Sequence, residues 1–211
     1  REFSLSSSAI ENFDDLPPPF RAVAADIING ETVVLDGGDL AKAMRASMSA
    51  PGVFAPAQID GRTLVDGGIA MNLPVEVAQE LGADIIIAVD VGFPLLPAED
   101  IQSAVAVSNQ MLTILIERET REQRRLLSED DLLIQPALGL LGSTEFLKAL
   151  EAIGIGYDSA NAATPGLARY SVSERDYAAH TASRRLRANP QMVPAFVDIR
   201  TDAAISPQVI A

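Results

Sequence analysis

Two copies of one tripeptide, Asp36-Gly37-Gly38 and Asp66-Gly67-Gly68, are the residues of this chain best suited by type and spacing to present a reactive group. A carboxylate that ends a strand and is followed by two glycines can be offered to a site. The backbone turns sharply behind it, and no Cβ blocks the approach of another group. The chemistry on offer is that of an acid or base. Taken alone, Asp-Gly-Gly is also an ordinary turn, so the surroundings decide. Around Asp66 they are dense: Ala46-Ser47-Met48-Ser49-Ala50-Pro51-Gly52-Val53-Phe54-Ala55-Pro56, then Ile59-Asp60-Gly61, Leu64-Val65-Asp66-Gly67-Gly68 and Asn72-Leu73-Pro74. Nothing comparable flanks Asp36, which reads as a turn residue.

Other chemistries lack their residues. No serine has glycines at both flanking second positions, as a nucleophile elbow requires. The chain has no P-loop, no Gly-x-Gly-x-x-Gly and no metal-binding His pair. With 0 cysteines there is no disulfide, thiolate nucleophile or Cys-based zinc site, and the 1 histidine, His180, falls in the last helical segment and reads as structural or exposed. Neither cofactor nor metal is expected. Ser47 and Ser49 stand beside Pro51-Gly52 at a helix end without elbow glycines, so neither reads as a nucleophile.

The elements that must hold Asp66 follow from pattern. A chain of 211 residues can bury a real core, and 48% hydrophobic with 21% charged residues is the composition of a folded protein. A formal charge of −13 repels phosphate backbones, so nucleic acid is not an expected partner. Residues 1–19, with Ser6-Ser7-Ser8 and Pro17-Pro18-Pro19, read as a lead-in segment, and the fold is expected to start near Phe20. Two hairpins are predicted, one turning at Asn29-Gly30 and one at Asp60-Gly61. Between them Asp39 caps a helix carrying Leu40, Met44 and Met48, which Pro51-Gly52 stops. A short helix spans Pro74 to Leu81 with Gly82 as its stop, a long one Asp100 to Glu129, another Thr144 to Ile153, and a last one opens with the capping box Ser173-Glu174-Arg175-Asp176. The run Ile85-Ile86-Ile87-Ala88-Val89-Asp90-Val91 has the character of a strand buried on both faces, as in a parallel sheet covered by helices, and Leu132 to Ile134 reads as another strand. The class is therefore α/β.

Taken in order, the motifs around Asp66 resemble those of the patatin-like phospholipases: an Ala-Ser-x-Ser-x-Pro-x-x-Phe-x-Pro stretch, an apolar-Asp-Gly turn, an Asp-Gly-Gly and an Asn-x-Pro. The resemblance covers residues 14–92 closely and 93–190 in outline. It implies a three-layer α/β fold with a central, mostly parallel sheet flanked by helices. It also implies a lipid acyl hydrolase, phospholipase A-like, that works with a serine–aspartate dyad. Carried onto this chain, Asp66 is the dyad's proton acceptor, Gly67 and Gly68 complete its motif, and Pro51, Asn72 and Pro74 support it. The elbow serine and the Gly-rich oxyanion loop of the family are not found among these residues. The chain is thus expected to be the C-terminal two thirds of a patatin-like domain and inactive without the rest. A dyad aspartate also needs surroundings that disfavour its charge, since a free carboxyl titrates near about 3.9; Val65, Ile69, Met71 and Leu73 are the expected apolar wall.

The implied substrate is a phospholipid or other acyl ester met at a membrane surface, with the missing N-terminal part of the domain as partner and a second copy of the chain as an admissible one. Residues 20–188 form the patatin-like part, 189–195 a Pro-rich linker, and 196–211 a segment similar to the opening of a polypeptide-transport-associated domain. The last likeness implies the passenger of a bacterial patatin-like autotransporter, secreted or held at the outer membrane; without it the cytoplasm is expected. Two other readings are open: a lipid-binding scaffold that keeps the fold without the nucleophile, and a ligand crevice at the loop after Val91.

Overall fold

The computed structural model describes residues 12–16, 18–139, 141–142 and 145–188. The linker and the transport-domain likeness at 189–211 lie outside the described residues. Two hairpins build the first sheet. Strand β1 (Ala22–Asp26) pairs with β2 (Thr32–Leu35), and β3 (Ala57–Ile59) pairs with β4 (Arg62–Asp66). The second turn holds Asp60 at φ 49° and Gly61 at φ 77°, the paired left-handed residues that a two-residue hairpin turn demands. Strands β1 and β4 then pair antiparallel, with Ala24 opposite Asp66, giving the order β2-β1-β4-β3.

Helix α1 (Leu40–Ser47) crosses between the hairpins, capped by Asp39 Oδ1, which accepts the Lys42 N–H at 3.2 Å. Its buried residues are Ala43 and Ala46, whereas Met44 and Met48 are exposed. Small side chains face the sheet because the helix lies close on it: Ala46 packs with Ala24, Val33 and Leu64 in one core cluster. After β4 come the short helices α2 (Gly68–Met71) and α3 (Val75–Glu80), and then β5 (Ile87–Val89). The long helix α4 (Ala104–Arg124) starts later than the periodicity suggests, because Ser103 accepts the Ala106 N–H and fixes the first turn there. β6 (Leu132–Ile134) pairs parallel with β5. Helix α5 (Ala149–Ala162) begins after Thr144 and runs beyond Ile153 through Gly154 and Gly156, which weaken a helix without ending it. Helices α6 (Thr164–Leu167) and α7 (Glu174–Ala188) follow, the latter capped by Ser173 as expected.

The α/β class holds, but the sheets are composed differently from the expectation of one mostly parallel sheet. The four-stranded sheet is antiparallel: tight turns impose this on β1–β2 and β3–β4, and β1 and β4 also pair antiparallel; parallel pairing among the described residues is confined to β5 and β6. Nor is the apolar run at β5 buried on both faces. Ile86, Ala88 and Asp90 point inward, while Ile87 and Val89 are 50% and 51% exposed and Ile85 and Val91 share their face. The lead-in reading also needs correction. Phe13 is fully buried against Ala22 and Ala43, its N–H donates to Asp36 O, and Asn12 bridges Gly37, so the packed fold begins before Phe20.

Candidate active site

Asp66 is the last residue of β4, the strand between β1 and β3, and its backbone is fixed from two sides. Its N–H donates to the Ser49 carbonyl at 3.1 Å, tying the strand end to the loop after α1. Its neighbour Gly67 lies so close to β1 that a Cβ there would stand 2.8 Å from the Val23 carbonyl carbon. Gly67 keeps an ordinary helical φ of −62°, so glycine is required by space and not by conformation. The side chain is oriented in turn: the Gly68 N–H donates to Asp66 Oδ1 at 2.8 Å. Among the described residues no donor lies within bonding distance of Oδ2.

Asn72 ends α2 and fastens this turn to α4. Its N–H donates to Glu119 Oε2 at 3.0 Å and its side-chain amide to Thr120 Oγ1 at 3.3 Å. Next along the same helix, Gln123 Oε1 accepts the Glu76 N–H at 3.0 Å. Thr120 is 1% exposed and Gln123 is buried, so these polar groups are satisfied inside the packing. Burial raises the carboxyl pKa of Glu119, an effect that the hydrogen bond from Asn72 partly opposes. Pro74 sets the chain for α3, directly after Asn72 and Leu73.

Of the apolar wall expected around Asp66, half is present. Ile69 lines one cavity with Asp66 and Met71 another. Val65 faces the opposite side of β4, as strand alternation dictates, and Leu73 packs into the core with Val75, Ile86 and Ala88. The first of these cavities, about 290 Å³, brings Asp66 together with Pro51, Val53 and Asn72, with Gly92 and Phe93 from the loop after β5, and with Leu112 and Ile116 of α4. The loop after Val91, read from sequence as a separate crevice, is thus a wall of the Asp66 cavity.

The two serines differ in setting. Ser49 is fully buried; its hydroxyl donates to Arg45 O and accepts from the Arg45 guanidinium. Ser47 lines the second Asp66 cavity. Asp36 lies elsewhere, beside a cavity of about 530 Å³ formed by β2, the start of α1 and the β3–β4 hairpin, and its carbonyl serves Phe13. His180 is exposed on α7.

Sequence reasoning missed four supporting residues. Arg45 sits 4.9 Å from the Phe54 ring centre and donates to Ala55 O at 3.1 Å, which holds the Pro-x-x-Phe-x-Pro loop against α1. Glu119 and Thr120 stand in a charged stretch of α4 and give no local signal, because their partner Asn72 is 47 and 48 positions away. Asp90, 4% exposed, receives Arg124 Nε at 2.6 Å and Gln135 Nε2 at 3.1 Å, and its Oδ1 accepts the Gly92 N–H at 3.1 Å. That anchor fixes the loop carrying Phe93. Its one advance signal is an acidic residue inside an apolar run.

Asp66 thus stands at the end of a strand, oriented by a glycine turn, at the edge of a partly apolar cavity. Residues 8–78 match the family model described as patatin-like phospholipase, and the chain is similar to that family over this stretch. The chain is also 43% identical over 93 residues to an NTE family protein of Mycobacterium tuberculosis strain H37Rv and, to the same degree, to one of Mycobacterium bovis; each alignment covers 44% of this chain and 26% of the relative. The mouse patatin-like phospholipase domain-containing protein 7 is 42% identical over 81 residues, 37% of this chain and 6% of that protein. The chain therefore spans about a quarter of the length of these two mycobacterial relatives.

Proposed function

We propose that this chain carries the aspartate half of the serine–aspartate dyad of a lipid acyl hydrolase, phospholipase A-like in its chemistry. One observation carries the reading: Asp66, within the stretch matched by the patatin-like phospholipase model, is locked by Ser49 and Gly68 while its Oδ2, at the wall of a cavity, has no donor among the described residues. In the proposed reaction a serine hydroxyl attacks the ester carbonyl and passes its proton to Asp66. The tetrahedral adduct expels the alcohol, which takes that proton, and leaves an acyl-serine. Water, deprotonated by Asp66, then frees the fatty acid and restores the serine.

The nucleophile and the oxyanion donors belong to a segment other than these 211 residues, and the chain by itself is inactive. The substrate reaches the site from a lipid surface. Export of the intact protein to the cell surface follows if residues 196–211 open a transport-associated domain.

The test is a pair of substitutions in two identical tripeptides of the intact protein. Asp66→Asn is expected to lower ester turnover by several orders of magnitude and Asp36→Asn to leave it within about twofold, both folded, because the change is isosteric. Equal losses, or an active Asp66→Asn enzyme, would remove Asp66 from the reaction. A wild-type protein that binds phospholipid vesicles without turnover would favour the scaffold reading.

A further inference from the structure

Thr120 is buried, yet it stands in the wall of the Asp66 cavity and carries a hydroxyl that the proposed reaction does not use. That hydroxyl has one proton, and the proton is committed: Thr120 Oγ1 donates to Ile116 O at 2.8 Å, one turn back along α4. Towards the Asp66 turn the oxygen can therefore only accept. The Asn72 side chain meets it with its amide, Nδ2 donating at 3.3 Å. With Nδ2 claimed by α4, the carboxamide oxygen must point the other way. It lies over Gly68, where an added Cβ would stand 3.0 Å from Asn72 Oδ1 and 3.1 Å from Asp66 Oδ1. The two oxygens thus close over one face of the glycine whose N–H orients the carboxylate. An amide oxygen has no proton to give a carboxylate, so Asn72 Oδ1 is a stop beside Asp66 Oδ1 and not a partner to it.

We propose that Thr120 is a positioning residue for the reaction: by fixing which end of the Asn72 carboxamide faces Gly68, it keeps the Asp66 carboxylate on the Gly68 N–H and so sets its angle to the cavity. The inference rests on the reading of Asp66 as the dyad base, because only then does the angle of that carboxylate set a rate. Without the Thr120 oxygen the carboxamide is free to turn over. Its Nδ2 would then face Asp66 Oδ1 and offer a second donor there, drawing the carboxylate away from Gly68. The backbone keeps its own tie to α4, since the Asn72 N–H donates to Glu119 Oε2 at 3.0 Å. Neighbouring residues of α4 thus divide the work, Glu119 holding the end of α2 and Thr120 orienting the side chain. A displacement of about 1 Å in a reacting group can cost about a hundredfold in rate.

The experiment uses the intact protein and a nitrophenyl ester of butyrate. Thr120→Val keeps the buried volume and removes the hydroxyl, whereas Thr120→Ser keeps the hydroxyl and removes a methyl. In Thr120→Val, kcat is expected to fall about ten- to a hundredfold with KM within about twofold, and Thr120→Ser should return it to within about threefold of wild type. Adding Thr120→Val to Asn72→Ala should lower kcat by less than about twofold further, since the amide it orients is gone. Ser108→Ala removes a hydroxyl that bonds back along α4 in the same way from an exposed turn, and kcat is expected to be unchanged. Deuterium exchange of the peptide carrying residues 66–72 gives a readout without turnover: it should quicken about tenfold in Thr120→Val and not in Thr120→Ser. If Thr120→Val does not fold, Asn72→Asp asks the same question from the partner, replacing the donor that Thr120 accepts, and the same fall in kcat is expected. Wild-type kcat in Thr120→Val or Asn72→Asp, a Thr120→Ser enzyme as slow as Thr120→Val, or unchanged exchange would overturn the assignment even where Asp66→Asn abolishes turnover. Loss of the dyad reading shows separately, as turnover that survives Asp66→Asn.

Discussion

Gly67→Ala tests the packing on which the site geometry stands. A Cβ at residue 67 would meet the backbone of β1, 2.8 Å from Val23 C and 3.2 Å from Ala24 N, where ordinary contacts of a Cβ begin near 3.4 Å. Strand β1 is bonded on both sides, to β2 and β4, so it cannot swing away as the tip of a flexible side chain would. The end of β4 must retreat by at least about 0.6 Å, in an interior that is close-packed. Overpacking of this kind costs typically about 1–3 kcal/mol, and contact with backbone belongs at the upper end; the lower unfolded-state entropy of alanine gives back only about 0.4–1 kcal/mol. A net loss of about 2 kcal/mol corresponds to roughly 4–8 °C in Tm for a chain of this size. The control is Gly38→Ala in the other Asp-Gly-Gly. That glycine has φ +85° and nothing within 4 Å, so alanine there meets only left-handed strain, with a net cost of about 1 kcal/mol or less. Thermal unfolding followed by circular dichroism at one pH, salt and scan rate ranks the two. In the intact protein Gly67→Ala should also lower turnover, because Asp66 moves with the strand end. A Gly67→Ala protein melting within about 1 °C of wild type would refute the close approach of β4 to β1.

The remaining expectations concern the supports and the setting. Arg124→Met strips Asp90 of its charged partner at a buried site and should cost about 3 kcal/mol; adding Asp90→Asn should recover part of the loss, and chemical denaturation checks both. Glu119 has its folded pKa raised by burial, so its contribution to stability is fully present below the ordinary glutamate range and is lost as pH rises through the raised value. Denaturation curves should therefore show that Glu119→Gln removes this loss of stability with rising pH, and a slope unchanged by the substitution would contradict the burial. Protease shaving of intact cells addresses export: a surface-held protein is cut while a cytoplasmic marker survives, and protection until lysis would return it to the cytoplasm.

Features set by neighbouring residues were legible in the sequence. Gly30 and the pair Asp60-Gly61 turn the two hairpins because left-handed backbone at a single position or two adjacent ones is a local property, and Asp39 and Ser173 cap their helices by reaching amides three residues on. The order of motifs around Asp66 was equally readable and distinguished it from Asp36. Contacts between distant segments were not. The face of β5 that is buried, the side of α1 that meets the sheet, and the burial of Phe13 depend on what packs above each element, and a run of apolar residues looks the same with one face covered or two. Likewise Glu119 and Thr120 stand in a stretch of charged residues that reads as solvated helix, yet they hold Asn72 from 47 and 48 positions away. Sequence alone therefore determined the strand end and turn at Asp66; only the tertiary structure decided that Asp66 shares a cavity with the β5 loop and α4, because that assembly depends on long-range packing and not on residue order.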